Sequence, residues 1–174
     1  MQLFDKDLLS VQEVRDLVSA AKEAQAELAE KSQEEVDRIV KSIADAGVRN
    51  AARLAVMANE DTGFGIVEDK VVKNVFGSYN VYNAIKDMKT IGVIDRDEEK
   101  GLITIAVPLG VVAGIVPSTN PTSTVFFKAE IAIKSSGTSV TYNSHSLIGN
   151  TFPTDSFCIL VSPNVITLSS GTIM

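Results

Sequence analysis

The turn between an apolar strand and a following helix holds side chains whose types and spacing suit ligand binding. The apolar run 111–116 is rich in β-branched residues and ends in a polar turn. That turn consists of Pro117, Ser118, Thr119 and Asn120. Because the next residue, Pro121, suits the first turn of a helix, Asn120 is held at the carboxyl end of the strand, where open α/β sheets place ligand-binding groups. Its amide can therefore serve a ligand; an asparagine that bonds its own backbone is the alternative.

The single cysteine, Cys158, is the first residue to consider as a nucleophile. A reactive thiolate needs a cation, a base or a helix N-terminus to lower its pKa. Cys158 lies instead in the apolar run 157–161, with no Lys or Arg nearby in the sequence. The sequence therefore favours a small buried hydrophobic residue over a catalytic one.

The single histidine, His145, lies in a segment that reads Tyr142, Asn143, Ser144, His145 and Ser146. An imidazole there could donate to a ribose or phosphate oxygen of a cofactor, and an incidental polar residue is the alternative. Structural zinc needs four ligands, so one histidine and one cysteine predict no metal site. The charged residues Glu68, Asp69 and Lys70 are interpreted as a solvated helix face.

The charge and cysteine usage narrow the class of protein. The net charge is −6, which argues against binding to nucleic acid or to anionic membranes. A single cysteine cannot form an internal disulfide, which fits a reducing compartment. Charged residues run through the first twenty positions, and no stretch approaches eighteen apolar residues, so neither a secretory signal nor a membrane span is predicted. We expect a cytoplasmic protein, with a microcompartment as an alternative location.

The first half of the chain shows helical spacing of apolar residues. Ser10 with Glu13, and Ser32 with Glu35, form two capping-box patterns that predict helix starts. The second of these helices is predicted to end near Gly47. Further helices are predicted over 51–60 and 67–88, separated by Gly63 and Gly65. We therefore expect a helical layer over residues 10–89 that has no sheet of its own.

The apolar period changes in the second half of the chain. Apolar runs at 91–94 and 102–107 flank a charged turn and predict an antiparallel hairpin over 91–107. The strand 111–116, a helix over 122–134 and a further strand over 139–142 predict a β-α-β unit. The fold class is therefore α/β: a helical layer, a hairpin, and the start of a doubly wound dinucleotide-binding sheet.

Residue 134 marks an abrupt change in composition. Asp155 is the only charged residue beyond Lys134, although the chain has 16 Lys and Arg and 22 Asp and Glu. The next helix of an α/β domain should bring charges to its solvated face. We therefore divide the chain into residues 1–134, which hold the helices, the hairpin and the β-α unit 111–134, and a Ser/Thr-rich aberrant tail, 135–174. A reading-frame shift near codon 134 would explain the tail, and the nucleotide sequence would decide.

Several segments of residues 1–134 resemble the CoA-acylating aldehyde dehydrogenases, including the acetaldehyde dehydrogenase half of bifunctional aldehyde-alcohol dehydrogenases. The segments are 61–65 (Asp-Thr-Gly-Phe-Gly), 67–70 (Val-Glu-Asp-Lys), 86–94 (Lys-Asp-Met-Lys-Thr-Ile-Gly-Val-Ile), Phe127-Lys128 and the turn at Asn120. They occur in the order of that family. The turn at Asn120 is the most specific of them.

The resemblance implies roles for the candidate residues. Asn120 would donate to the oxygen that becomes negative when a thiolate adds to an aldehyde. Pro117, Ser118 and Thr119 would line a channel for the cofactor NAD, near its nicotinamide. His145 would be a remnant of the family's aromatic-Ser-Pro-His-Pro element, here without both prolines. Coenzyme A would accept the acyl group, and the hairpin would serve homo-oligomerisation.

The family's nucleophilic cysteine lies on a second domain, which this sequence does not contain. We therefore expect a chain that descends from an NAD-dependent enzyme forming acyl-CoA from short aldehydes but is inactive alone. Two alternatives stay open. The chain could be a non-catalytic interaction fragment that associates with an intact dehydrogenase, or the product of a frameshifted gene.

Overall fold

The computed structural model describes residues 6–135, 138–143, 156–161 and 166–171. Its first helix, α1, covers Lys6–Ala29. The predicted start at Ser10 is wrong, because the helix begins a full turn earlier. A serine is tolerated inside a helix at a small cost, and Asp7 in the first turn complements the positive end of the helix dipole.

The second helix, α2, covers Gln33–Thr62 and starts at the predicted capping box. The Ser32 backbone N–H donates to Glu35 Oε2 at 2.9 Å, and the Glu35 N–H donates to Ser32 Oγ at 3.3 Å. The predicted end near Gly47 is wrong, since the helix continues through that glycine. The predicted break at Gly63 is confirmed: this residue ends the helix in the left-handed conformation, with φ of 66°.

Gly47 lies where α2 meets the next helical segment. That segment consists of α3 (Val67–Val75), a π-helical turn (Phe76–Asn80) and α4 (Val81–Ile85). A Cβ atom on Gly47 would lie 2.5 Å from Ser78 Cβ. The glycine therefore permits a close approach of two helices rather than breaking one.

The predicted hairpin is confirmed. Strand β1 (Gly92–Asp97) pairs antiparallel with β2 (Leu102–Ala106), with a bulge between Val93 and Asp95. The turn is shorter than expected, because β1 extends to Asp97. Large apolar side chains of β2 are exposed: Leu102, Ile103 and Ile105.

The β-α-β unit is also confirmed. Strand β3 (Val111–Val116) leads into α5 (Ser123–Lys134), and β4 (Thr138–Asn143) returns parallel to β3. Two further strands, β5 (Ser156–Val161) and β6 (Ile166–Gly171), extend the sheet in the order β3-β4-β5-β6. We did not expect strands there, although the runs of Ile, Val, Thr and Phe suit them.

The core forms where α5 packs on the helical layer. It consists of Leu28, Val36, Val40, Ile43, Ala129 and Ile133. At the end of α5, the buried Lys134 ammonium pairs with Asp37 of α2 and donates to the Lys86 carbonyl at 3.0 Å. These contacts fix α5, and with it the turn that precedes α5, against the helices. Among the described helices, none carries an apolar stretch long enough to cross a lipid bilayer.

Candidate functional site

The Asn120 turn, which we define as residues 117–120, joins the carboxyl end of β3 to α5, as predicted. The Asn120 backbone N–H donates to the Pro117 carbonyl at 3.2 Å, and the Thr124 N–H donates to the Asn120 carbonyl at 3.4 Å. Both bonds are at or beyond the long end of the usual range. The turn therefore has a defined shape, but its own hydrogen bonds hold it weakly.

The Asn120 side chain has one atom whose hydrogen bonding is incomplete. Its Nδ2 donates to Thr119 Oγ1 at 3.3 Å, while its Oδ1 is buried and has no hydrogen-bond partner. Half a rotation of the amide exchanges the two atoms: Thr119 Oγ1 then donates to Oδ1, and Nδ2 takes the buried position. In that orientation the buried position holds N–H donors instead of an acceptor oxygen.

Lys70 of α3 reaches the turn from the helical layer. Its side chain is buried, and its ammonium donates to the Thr119 carbonyl at 3.1 Å. Burial lowers the pKa of Lys70, and the nearby charge of Lys73 lowers it further. The interpretation of Lys70 as part of a solvated face is thus wrong, whereas Glu68 and Asp69 are exposed as expected.

Asn74 lies one helical turn after Lys70 and contacts Thr122, which follows the Asn120 turn. Its Oδ1 accepts from Thr122 Oγ1 at 2.7 Å, and its Nδ2 donates to the Ala51 carbonyl of α2 at 3.0 Å. The side chain is fully buried. Sequence reasoning missed Asn74; a polar residue four positions after Lys70 was the available signal.

The structure describes the positions of all the other predicted site residues except His145. Pro117 and Ser118 are half-buried and Thr119 is exposed, all beside Asn120. His145 lies outside the described residues. Cys158 lies on β5, in register with Ser169 of β6. The described residues hold no group of three His, Cys, Asp or Glu side chains that could bind a metal.

Glu130 of α5 is another residue with buried side-chain oxygens that lack hydrogen-bond partners, and it lies further along the helix from the Asn120 turn. It is completely buried, and neither carboxylate oxygen has a hydrogen-bond partner. Burial raises the pKa of Glu130 to about 8. The carboxyl group is therefore largely protonated at neutral pH.

Comparison with known proteins gives consistent matches. Residues 5–146 match the model described as "Aldehyde dehydrogenase family". The bifunctional aldehyde-alcohol dehydrogenase of Escherichia coli (strain K12) is 50% identical over 125 residues, which cover 72% of this chain and 14% of that protein. This chain thus spans about a seventh of the length of that relative.

Solved structures match over most of the chain. An acetylating aldehyde dehydrogenase from Geobacillus thermoglucosidasius has a TM-score of 0.80 at 55% identity, covering 83% of this chain and 32% of that one. A Rhodopseudomonas palustris propionaldehyde dehydrogenase with bound propionyl-CoA has a TM-score of 0.59 at 26% identity, covering 74% of this chain and 28% of that one. The resemblance and the α/β fold class inferred from the sequence are confirmed.

Proposed function

The chain belongs to the aldehyde dehydrogenase family, and on that premise we propose that its Asn120 turn serves the NAD-dependent oxidation of a short aldehyde to acyl-CoA. The buried, unpartnered amide position at Asn120 carries the proposal. The acetylating relative and the relative with bound propionyl-CoA support coenzyme A as the acyl acceptor. The acidic charge and the single cysteine support a cytoplasmic location.

Asn120 would act on the oxygen of the reacting carbonyl group. When a cysteine thiolate adds to the aldehyde carbon, a carbon–sulfur bond forms and the carbonyl electrons move onto the oxygen. The turned Asn120 amide donates an N–H to that oxyanion. Removing one such donor typically lowers the rate by about 10²–10³, or roughly 2.7–4 kcal/mol.

The rest of the turn fits the edge of a cofactor site. Ser118 and Thr119 place hydroxyl-bearing side chains at the carboxyl end of β3, where α/β sheets bind dinucleotides. NAD bound there would accept the hydride that leaves the thiohemiacetal carbon. The coenzyme A thiolate would then attack the resulting thioester carbon, take the acyl group and release the cysteine thiolate. We do not assign the nucleophile to Cys158, because no Lys or Arg near it in the sequence would lower the pKa of its thiol.

A chimera with the E. coli relative tests this function. Residues 1–134 of this chain replace the matching segment of that enzyme, and NADH formation from acetaldehyde and coenzyme A is measured. In the chimera, Asn120→Ala should lower kcat by about 10²–10³. Asn80→Ala, at an exposed asparagine, is the control and should leave kcat unchanged. Equal rates for both variants would remove Asn120 from the mechanism.

The 174-residue chain is assayed in parallel. We expect no turnover, because no Lys or Arg lies near Cys158 in the sequence to lower the pKa of its thiol. A rate that Cys158→Ala abolishes would assign the nucleophile to this residue.

The alternative, a non-catalytic fragment that binds an intact dehydrogenase, is favoured by one observation. The hairpin presents Leu102, Ile103 and Ile105 to solvent, each more than half exposed. Apolar side chains exposed together on one hairpin favour association with another chain. Co-purification with an intact acylating dehydrogenase, lost on Ile103→Glu and Ile105→Glu, would support this reading, and separate elution of the unmodified chain would exclude it.

A further inference from the structure

Two buried polar side chains of α3 contact the backbone and side chain on either side of Asn120. Lys70 and Asn74 are four residues apart, so they lie on the same face of the helix. Lys70 bonds Thr119, immediately before Asn120, and Asn74 bonds Thr122, two residues after it. One helix face thus holds both ends of the segment that carries the candidate oxyanion donor.

Burying the Lys70 ammonium costs free energy, so the hydrogen bond that it makes there is important for keeping it in place. An ammonium group removed from water is destabilised unless hydrogen bonds compensate, and only the Thr119 carbonyl accepts from it among the described residues. Its relative exposure is 5%. A hydrogen bond from a charged donor is stronger than one between neutral groups. The strongest single hydrogen bond at the Asn120 turn is therefore supplied by α3, not by the turn itself.

Asn74 connects the turn to the long helix α2. Its side-chain amide accepts from Thr122 and donates to the Ala51 carbonyl. Its backbone carbonyl accepts from Ser78 Oγ at 2.7 Å. With both ends of the amide engaged, the side chain has one orientation. Thr122 is thereby fixed relative to α2, which belongs to the core.

We propose that Lys70 and Asn74 are positioning residues that hold the Asn120 amide in place through Thr119 and Thr122. The purpose of this positioning, which is to orient an oxyanion donor, rests on the proposed function. The turn's own bonds, at 3.2 and 3.4 Å, are too weak to fix a side chain within the fraction of an ångström that a reacting oxygen requires. The two residues of α3 make up for this weakness from outside the turn.

Amide hydrogen exchange on the 174-residue chain, followed by NMR, tests the proposal without turnover. Lys70→Met removes the donor and keeps a long apolar side chain. In Lys70→Met we expect the backbone N–H groups of Asn120 and Thr124 to exchange about tenfold faster or more. The backbone N–H groups of Val40 and Ile43 in α2 should keep their protection. Lys70→Arg, which retains a charged donor, should restore slow exchange at the turn.

Matched variants separate a local effect from a general one. Lys73→Met, at an exposed lysine of the same helix, should change nothing at the turn. Thr122→Val keeps the shape of the side chain and removes the hydroxyl that bonds Asn74, so it should also speed exchange at Thr124. If Lys70→Met does not fold, Thr122→Val replaces it as the test variant. Unchanged exchange at the turn, or equal acceleration in α2, would overturn the proposal. If Asn120→Ala has no effect in the chimera while the exchange results hold, the function fails and the positioning stands.

Discussion

Glu130 is an ionisable residue that is fully buried without a hydrogen-bond partner for its carboxyl group. Its pKa is raised to about 8 by burial, against an ordinary value of 4.5. The folded protein therefore binds a proton more tightly than the unfolded chain does. This contribution to stability is fully present below about pH 4.5 and is lost as the pH rises through 8, so the free energy of unfolding should fall over that range.

Glu130→Met should remove this pH dependence. Methionine fills a similar volume and carries no titratable group, so we expect the variant to be more stable than the parent at pH 8, by on the order of 4 kcal/mol. Urea unfolding at pH 5 and pH 8, followed by circular dichroism, measures the difference. Glu60→Met, at an exposed glutamate, is the control for the loss of one negative charge. The same pH dependence in the Glu130 and Glu60 variants would show that Glu130 is not the cause.

At the same scale, the sequence located the candidate donor but not the residues that hold it. Asn120 was found because two prolines and an apolar run fix a strand, a turn and a helix in order. Lys70 lies 49 positions from Thr119. Periodicity describes one element at a time, so it could not show that an α3 lysine turns inward to meet a distant carbonyl.

At the scale of the elements, glycine has two uses, and confusing them gave the wrong end for α2. A glycine ends helices in the left-handed conformation, as Gly63 does, but it also lets two helices approach closely, as Gly47 does. The sequence cannot distinguish the two uses without knowing which partner helix is near. The capping-box pattern predicted the start of α2 correctly at Ser32, where both of its hydrogen bonds form, and failed at Ser10, which lies inside α1.

Gly47→Ala should therefore destabilise the protein although alanine is the better helix former. Propensity favours alanine by about 1 kcal/mol. The added Cβ would lie 2.5 Å from Ser78 Cβ, and relieving such overpacking typically costs about 1–3 kcal/mol. We expect a lower urea midpoint for Gly47→Ala, partly restored by adding Ser78→Gly. Ser42→Ala, at an exposed position of α2, is the control, and a Gly47→Ala midpoint at or above the parent's would show that the helices separate easily.

At the scale of the whole molecule, the arrangement of the sheet decides what the chain can bind. Strand β3 lies at one edge of the sheet β3-β4-β5-β6, and Ile115 on it is mostly exposed. A dinucleotide site of a doubly wound sheet lies across the crevice where the strand order reverses, so it needs strands on both sides. Within the described residues, the Asn120 turn has a sheet on one side only. The division of the chain at Lys134 stays a prediction, and the family match continues past it to residue 146.

We therefore predict that the 174-residue chain binds NAD weakly. One wall of a pocket buries too little of a ligand's surface to offset the freedom lost on binding, a cost of at least about 4 kcal/mol. Calorimetric titration should show no saturable binding below millimolar NAD, whereas the chimera with the E. coli relative, which restores the surrounding sheet, should bind. A micromolar dissociation constant for the 174-residue chain, lost on Ser118→Ala or Asn120→Ala but kept on Asn80→Ala, would mean that the turn and its α3 supports already form a complete site.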